Sequence, residues 1–426
     1  MAFSFYQSLR TIPDDLDEVS NSFRLSGWQR FWRLEVPFAM PGLVWNMMMS
    51  MSGGWFFVVA AETISVGPHH AMLPGLGSYV ATAIAQRDLA GVAWALVTML
   101  VVIVLYDQLI FRPLAVWAEK FRFEQTAGYA APESWSLRML RTSRVVAVLS
   151  APAVRLLRSL TTARWLVPRR STERARMSKR ALDWVWGAPL AVACLAGAVL
   201  TVRFVATELD WREVVRVFGL GFLTLIRVVV LIALASLVWV PIGIWVGLRP
   251  GWTKWVQPIA QFFAAFPANL LFPLAVVAIV HFRVSPNIWL SPLMVLGTQW
   301  YILFNVIAGA SAFPSDLRDA ATNMQVRGWN WWRRVIVPGI FPYFVTGGIT
   351  ASGGSWNASI VSETVSWGDT HLTAAGLGSY IAAATDAGDY PRIVLGIAVM
   401  SVFVTVFNRL VWRPLYAYAE RRLRIL

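Results

Sequence analysis

Few groups of residues in this chain have the types and spacing that catalysis requires. The sequence contains no phosphate-binding loop of the form GxxxxGK[ST], which ATP hydrolysis requires, and neither HExxH nor CxxC. The one cysteine, Cys194, lies in an apolar run. The histidines His69, His70, His281 and His371 are too dispersed to indicate a metal site, and solvated side chains are favoured. We therefore predict that this chain has no metal or cofactor and does not itself hydrolyse ATP.

The polar residues that stand out lie near the ends of long apolar stretches. Glu62 and Glu363 each end such a stretch, and an acid at membrane depth usually faces a cavity or a partner. Two interpretations stay open for them, a gate or pathway residue and a cap of the following loop. Trp356 and Asn357 follow the small-residue run 352–355, which favours close helix packing over contact with a ligand. All four are candidate pathway or gate residues.

Composition indicates a protein that crosses the membrane several times. Of the 426 residues, 57% are hydrophobic and 14% are charged, and the mean hydropathy is +0.56. A soluble protein of this composition could not cover its surface with polar residues, and a disordered or disulfide-built chain is equally excluded. Arg227 is an unusual charge within an apolar stretch, where it could attract an anion or reach the membrane surface. The stretches long enough to span a bilayer are 38–63, 91–111, 184–206, 215–248, 258–281, 289–311, 338–362 and 391–411.

The net charge of +14 is concentrated in one segment. Between residues 112 and 180 lie fifteen Lys or Arg and four acids, which supply eleven of the fourteen excess charges. A basic loop between apolar spans is typical of the cytoplasmic side and of attraction to anionic membrane lipids, so nucleic acid is not an expected partner. We predict a multi-pass protein of the cell inner (plasma) membrane, with this loop and the C-terminus in the cytoplasm.

The sequence repeats itself at a constant offset of 301 residues. For example, Gly75–Tyr79 recurs as Gly376–Tyr380. An even number of spans separates the two copies, which predicts two parallel halves around a central path. The predicted parts are a truncated first repeat at 1–111, a basic cytoplasmic linker at 112–182 and a complete second repeat at 183–426. Counterparts of residues 183–301 are missing, so the chain is expected to be a fragment or the product of a truncated gene model.

Each repeat has a short polar segment between two spans, at residues 13–37 and 314–338. In the second copy, apolar and small residues recur at helical spacing, which predicts an amphipathic helix over 315–327 and a counterpart over 14–26. Gly328 is predicted to end the helix, and Pro338 to begin the next span. A duplicated helix on one membrane face suits the docking of two copies of a soluble partner.

Segment 314–338 resembles the EAA loop of permeases of binding-protein-dependent ABC importers. Asp319, Ala320 and Ala321 stand in place of the EAA triplet, and residues 335–338 in place of the closing I-x-L-P. With Glu363 and the following Gly-Leu-Gly, the segment is similar to nitrate, sulfonate, bicarbonate and taurine-type permeases.

The sequence departs from the family pattern at the EAA triplet of the first copy, and in both copies at a glycine that follows the triplet in the family. Residues 18–20 read Glu-Val-Ser in place of EAA. The family glycine is replaced by Arg24 in the first copy and Gln325 in the second. Because glycine permits a sharp bend, a long side chain there is expected to alter the docking angle.

The resemblance implies an all-α integral membrane protein with the type I ABC importer transmembrane fold and about eight spans in two parallel repeats. It implies separate ABC ATPase subunits as partners, a periplasmic or surface solute-binding protein, and import of a small oxyanion or sulfonate by alternating access. The residues implied in coupling to the ATPase are Asp15, Glu18, Gly27, Asp316, Asp319, Ala320, Ala321, Gly328 and Pro338.

Two other functions remain open from the residues alone. An ATP-independent secondary transporter or channel would need ion-coupling acids or an Arg-lined pore within the spans. A membrane scaffold without transport activity would be consistent with a truncated first repeat that cannot close a cavity.

Overall fold

A computed structural model of the chain describes residues 12–66, 69–121, 135–142 and 179–422, with a few isolated positions outside these ranges. Most of the predicted basic linker therefore lies outside the described residues. The chain divides into two compact units, one formed by residues 1–51 and 101–190 and the other by residues 52–100 and 191–426.

The first repeat consists of short and long helices with one β-hairpin between them. Its elements are α1 (Asp14–Ser22), α2 (Val36–Ala61), β1 (Thr63–Val66), β2 (His69–Met72), α3 (Leu76–Ala85) and α4 (Leu89–Tyr106). A helical turn at Gly27–Arg30 precedes α2, Arg112–Ala118 continues α4, and α5 (Trp135–Thr142) follows.

The second repeat begins with helices that have no counterpart among the described residues of the first, and it then reproduces, one by one, the described elements of the first. The additional helices are α6 (Lys179–Glu208), α7 (Trp211–Gly247), α8 (Pro250–Ala265), α9 (Phe272–His281) and α10 (Gln299–Ser311). The repeated elements are α11 (Ser315–Asn323), α12 (Val337–Ser362), β3 (Thr364–Trp367), β4 (Thr370–Thr373), α13 (Leu377–Ala387) and α14 (Tyr390–Phe407). Each of these begins 301 residues after its counterpart, and Arg413–Arg422 extends α14.

The predicted helical membrane architecture is confirmed, although some of the predicted spans are bent. The described residues contain five helices long and apolar enough to cross a bilayer, or up to eight if each bent pair is one span. Stretch 258–281, predicted as one helix, bends by 73° between α8 and α9. The bend lies at Phe266–Pro267, because a residue before proline is driven out of the helical conformation. Stretch 289–311 bends by 42° ahead of α10.

The two β-hairpins were not predicted. Each hairpin directly follows a long helix and consists of two antiparallel strands of four residues. Their sequence signal is a short run with β-branched residues, Thr63–Val66 or Thr364–Trp367, followed by Gly67-Pro68 in the first copy and Gly368-Asp369 in the second. This signal is weaker than the apolar periodicity of the neighbouring helices.

Prolines explain four irregular turns that the repeats share. π-Helical turns at Phe31–Glu35, Asp107–Phe111, Trp332–Ile336 and Asn408–Trp412 each end two residues before a proline. A proline has no amide hydrogen, so the carbonyl four residues earlier loses its helical donor. The wider turn absorbs this loss, and the helix axis continues. Pro338 was predicted to begin a span, but that span begins at Gly328 and runs through the π-helical turn to Ser362.

In the first unit, α1 is tied to the chain that follows it. Arg30 forms ion pairs with Asp17 of α1 and with Glu35 in the π-helical turn. Ser20 is the buried position of the helix, and its hydroxyl donates to the Asp17 carbonyl over 2.8 Å. The short helix is therefore held against the start of α2 by side chains of its own repeat.

In the second unit, the core lies between α7, α10, α12, α13 and α14. Small residues permit the close approach of these helices. A Cβ atom on Gly247 of α7 would lie 2.5 Å from that of Ala310, and one on Gly347 of α12 would lie 2.8 Å from the Tyr301 carbonyl oxygen. Close approach through small residues is a common mode of packing between membrane helices.

We expect Gly247→Ala to destabilise the protein by about 1–3 kcal/mol, because the added methyl group overpacks the contact between α7 and α10. Gly219→Ala is the matched control on the same helix, since nothing lies within 4 Å of its Cβ position. Thermal unfolding of the purified protein in detergent measures both variants. Equal midpoints for the two variants would contradict this packing.

Candidate functional site

The helix α11 is the core of the predicted coupling segment in the second repeat. It begins after Pro314 and ends at Asn323, four residues earlier than predicted. Its end is closed by two backbone hydrogen bonds, from the Gln325 amide to the Thr322 carbonyl (3.0 Å) and from the Val326 amide to the Ala321 carbonyl (2.9 Å). This is the Schellman arrangement, which needs one residue in the left-handed conformation.

Gln325 supplies the left-handed residue, with φ of 55°. Arg24 does the same in the first repeat with φ of 48°, and the amides of Arg24 and Leu25 close α1 in the same manner. The turn that the family makes with glycine is therefore present twice without glycine. The long side chains do not prevent the bend. Gly328, predicted to end the helix, lies beyond it and has φ of 59° at the start of the next helical segment.

Most of the predicted coupling residues are on the surface. Those with exposed side chains or backbone are Asp15, Glu18, Gly27, Asp316, Asp319, Ala320 and Gly328. Ala321 is buried, as is its repeat counterpart Ser20. Pro338 is half-buried in the following span.

Each segment has one exposed apolar residue at its tip. Phe23 has 76% of its surface exposed and Met324 has 78%, and they lie 301 residues apart. Each directly follows its short helix and precedes the left-handed residue. The sequence counted Met324 among the apolar residues at helical spacing and gave no signal for Phe23, so the matched protrusion of the two side chains was not predicted.

The second candidate region surrounds Glu363, whose side chain is 1% exposed. Its carboxylate accepts hydrogen bonds from the Thr224 hydroxyl (2.9 Å), from Arg227 (3.0 Å) and from the Ser379 amide (3.0 Å). The Thr224 hydroxyl in turn accepts the Leu377 amide over 2.9 Å. The carboxylate therefore caps the N-terminus of α13, where free amides and the helix dipole favour an anion.

Glycine is required next to this carboxylate. A Cβ atom on Gly376 would collide with the Glu363 carboxylate, and one on Gly378 would collide with the Ser359 carbonyl. The repeated Gly-Leu-Gly-Ser run thus lets the start of a helix approach the acid that caps it.

Glu62 has the corresponding role in the first repeat. Its carboxylate accepts the Gly77 amide at the start of α3, and a Cβ atom on Gly75 would collide with it. Glu62 is half-buried, whereas Glu363 is buried. Both acids thus have the capping contact that was one of their two interpretations. Their role as gate or pathway residues stays a prediction.

Arg227 is explained by this contact. The sequence left open whether it attracts an anion or reaches the membrane surface, and in the structure it pairs with Glu363 over 3.0 Å. It is 14% exposed. Its partner is 136 positions away in the chain, so no local pattern could have paired them.

Trp356 and Asn357 are neighbours in α12 with different surroundings. Trp356 is buried, and its ring lies 6.2 Å from that of Phe403. Asn357 is exposed. The preceding small residues pack closely, since the Ser355 hydroxyl lies 2.9 Å from that of Thr298. The favoured packing interpretation is supported for Trp356, and Asn357 remains a candidate pathway residue.

The histidines were not predicted to bind a metal. The side chains of His69 and His70 lie outside the described residues, and His371 is exposed. Within the part of the chain that the structure describes, no group of His, Cys, Asp or Glu is arranged to hold a metal ion.

Either single change, Arg227→Leu or Glu363→Gln, is expected to destabilise the protein by about 3–5 kcal/mol, because each leaves one group of a buried ion pair without its partner. The double variant is expected to lose less than the sum of the two. Arg216→Leu is the control, since that side chain is 68% exposed. Unfolding measured for all four variants gives the coupling free energy, and additive losses would contradict the pairing.

Comparisons with known proteins identify the family. The sequence pattern of the family "Binding-protein-dependent transport system inner membrane component" matches residues 1–112 and 239–425. The chain is 25% identical over 185 residues to a nitrate import permease protein of Leptolyngbya laminosa, covering 43% of this chain and 63% of the relative. It is 26% identical over 188 residues to a bicarbonate transport system permease protein of Synechococcus elongatus, covering 44% and 64%.

The aligned region spans somewhat less than two thirds of the length of these relatives. The family pattern, in contrast, matches well over half of this chain and matches it twice, in agreement with the repeat. The protein therefore belongs to the family of binding-protein-dependent transport system inner membrane components.

Proposed function

We propose that this chain is a permease subunit of an ATP-driven ABC importer and that α1 and α11 dock on its ATPase subunits. The observation that carries the proposal is the duplication of one local structure. Both copies are nine-residue helices with exposed acids, a buried small residue, a left-handed closing turn and a protruding apolar side chain. Two equal docking elements suit a partner with two equal sites.

The structure of the second repeat suits the transmission of motion. The helix after α11 runs from Gly328 to Ser362, 35 residues, which is roughly 52 Å at 1.5 Å per residue. It connects the docking segment to the Glu363 cluster, where α12, α7 and α13 meet. If the ATPase displaced α11, the helix Gly328–Ser362 would carry the motion to its far end, at the Glu363 cluster.

For the solute, a small oxyanion is proposed, with nitrate and bicarbonate as the first compounds to test. This rests on the relatives, which are a nitrate import permease and a bicarbonate transport permease. Arg227 is an unsuitable binding group for such an anion, because its charge is balanced by Glu363. A solute-binding protein would deliver the anion on the face opposite the docking helices.

Charge reversal at the docking helices tests the coupling. Asp319→Lys and Asp15→Lys are each expected to reduce ATP-dependent uptake about tenfold, because a wrong charge at an interface weakens binding by about 1.4 kcal/mol or more. The readouts are uptake of labelled nitrate and bicarbonate, and recovery of the ATPase in a pull-down with this chain. Glu208→Lys, an exposed acid at the end of α6, is the control. Pull-down of the ATPase at wild-type strength by both variants would overturn the docking role.

The protruding side chains provide an independent test of the same surface. Met324→Asp and Phe23→Asp are expected to weaken ATPase binding, since each replaces an exposed apolar contact by a charge. Met324→Leu keeps the apolar contact and is expected to retain binding. Loss of binding in Met324→Leu equal to that in Met324→Asp would argue against an apolar contact.

A further inference from the structure

The tip of the second hairpin contacts the end of a helix from the other repeat. The Gly368 amide donates to the Ile84 carbonyl of α3 over 3.0 Å. Arg87, just beyond α3, forms an ion pair of 2.7 Å with Asp369. The contact thus joins the repeats through both backbone and side chains.

The backbone on both sides is shaped for this contact. Gly368 has φ of 55°, and a Cβ atom there would collide with the side chain of Arg87. Arg87 itself has φ of 56°, which is unusual for a residue with a side chain. Two left-handed residues therefore face each other, and a side chain at position 368 would have to displace that of Arg87.

The elements around this contact also pack across the two repeats. Helix α3 of the first repeat packs against β3 of the second, and α13 of the second packs against β1 of the first. The hairpin follows directly after α12, so it lies at the opposite end of that helix from α11. The contact therefore joins the repeats on the membrane face opposite the docking segment.

The ion pair contributes little to the free energy that keeps this contact closed. The side chains of Arg87 and Asp369 are 53% and 96% exposed. Water and salt screen such a pair, so it adds little stability. The pair orients the tip of the hairpin, and it is too weak by itself to keep the tip from separating.

We propose that Arg87, Gly368 and Asp369 form the contact that closes the path between the repeats on this face, and that it opens and re-forms in each transport cycle. The proposal rests on the proposed function, because alternating access requires the repeats to separate at one face at a time. Asp369 and Gly368 act by positioning the hairpin, and they need not touch the solute.

The test measures access to the inside of the chain from this face. Cys194→Ser first removes the one cysteine, and Ser362→Cys then introduces a reporter at the end of α12, at a buried position directly before Glu363. Membrane vesicles are treated with a charged, membrane-impermeant maleimide. A separate Asp369→Cys variant identifies the vesicles in which the hairpin face is outward.

In those vesicles, Asp369→Asn and Gly368→Ala are each expected to increase the labelling rate of the reporter at least threefold. The exchanged pair Arg87→Asp with Asp369→Arg is expected to restore slow labelling, since it re-forms the ion pair. Glu208→Gln is the control for a changed surface charge and is expected to have no effect. Thermal unfolding of each variant shows that it is folded.

Unchanged labelling in Asp369→Asn and Gly368→Ala would overturn the proposal. Labelling in the exchanged pair as fast as in Asp369→Asn would also overturn it. The assay uses no ATPase and no solute, so a negative result is distinguishable from a failure of the docking experiments above.

Discussion

The requirement that buried backbone groups find partners inside the protein shapes the Glu363 region. The start of α13 is buried in the protein, so no water satisfies its free amides. The Glu363 carboxylate and the Thr224 hydroxyl accept them, and Arg227 balances the carboxylate charge. One acid thereby joins the end of α12, the middle of α7 and the start of α13. This cluster holds the end of α12 and the start of α13 against the middle of α7.

The two repeats have the same local structure in different surroundings. Gly54 and Phe57 of α2 are exposed, whereas their counterparts Ser355 and Ala358 in α12 are buried. Ser355 is covered by Thr298, ahead of α10, and the first repeat has no counterpart of that segment within this sequence. Local sequence therefore determines where helices, π-helical turns and hairpins form. Burial depends on how the additional helices cover each repeat, and they contact α2 at Phe56 as well as α12.

Much of the architecture follows from the sequence because its causes are local. Apolar stretches of bilayer length predicted the helical spans, and the constant offset predicted the duplicated elements. The bend at Phe266–Pro267 and the π-helical turns before prolines have local causes as well, although their form was not predicted. The sequence also indicated both short helices of the docking segments, and only their last turn was wrong, because the chain turns back at Arg24 and Gln325.

Other features were decided by tertiary structure alone. The pairing of Arg227 with Glu363, the contact of Arg87 with Asp369 and the protrusion of Phe23 and Met324 all depend on which segments meet or remain uncovered. The ion-pair partners are 136 and 282 positions apart, and no periodicity connects residues at such distances. The sequence by itself determined the family resemblance, the repeat and the helical spans, because short-range spacing specifies them. The three-dimensional packing decided which charges are neutralised and where the repeats touch, because those contacts exist only after distant helices have come together.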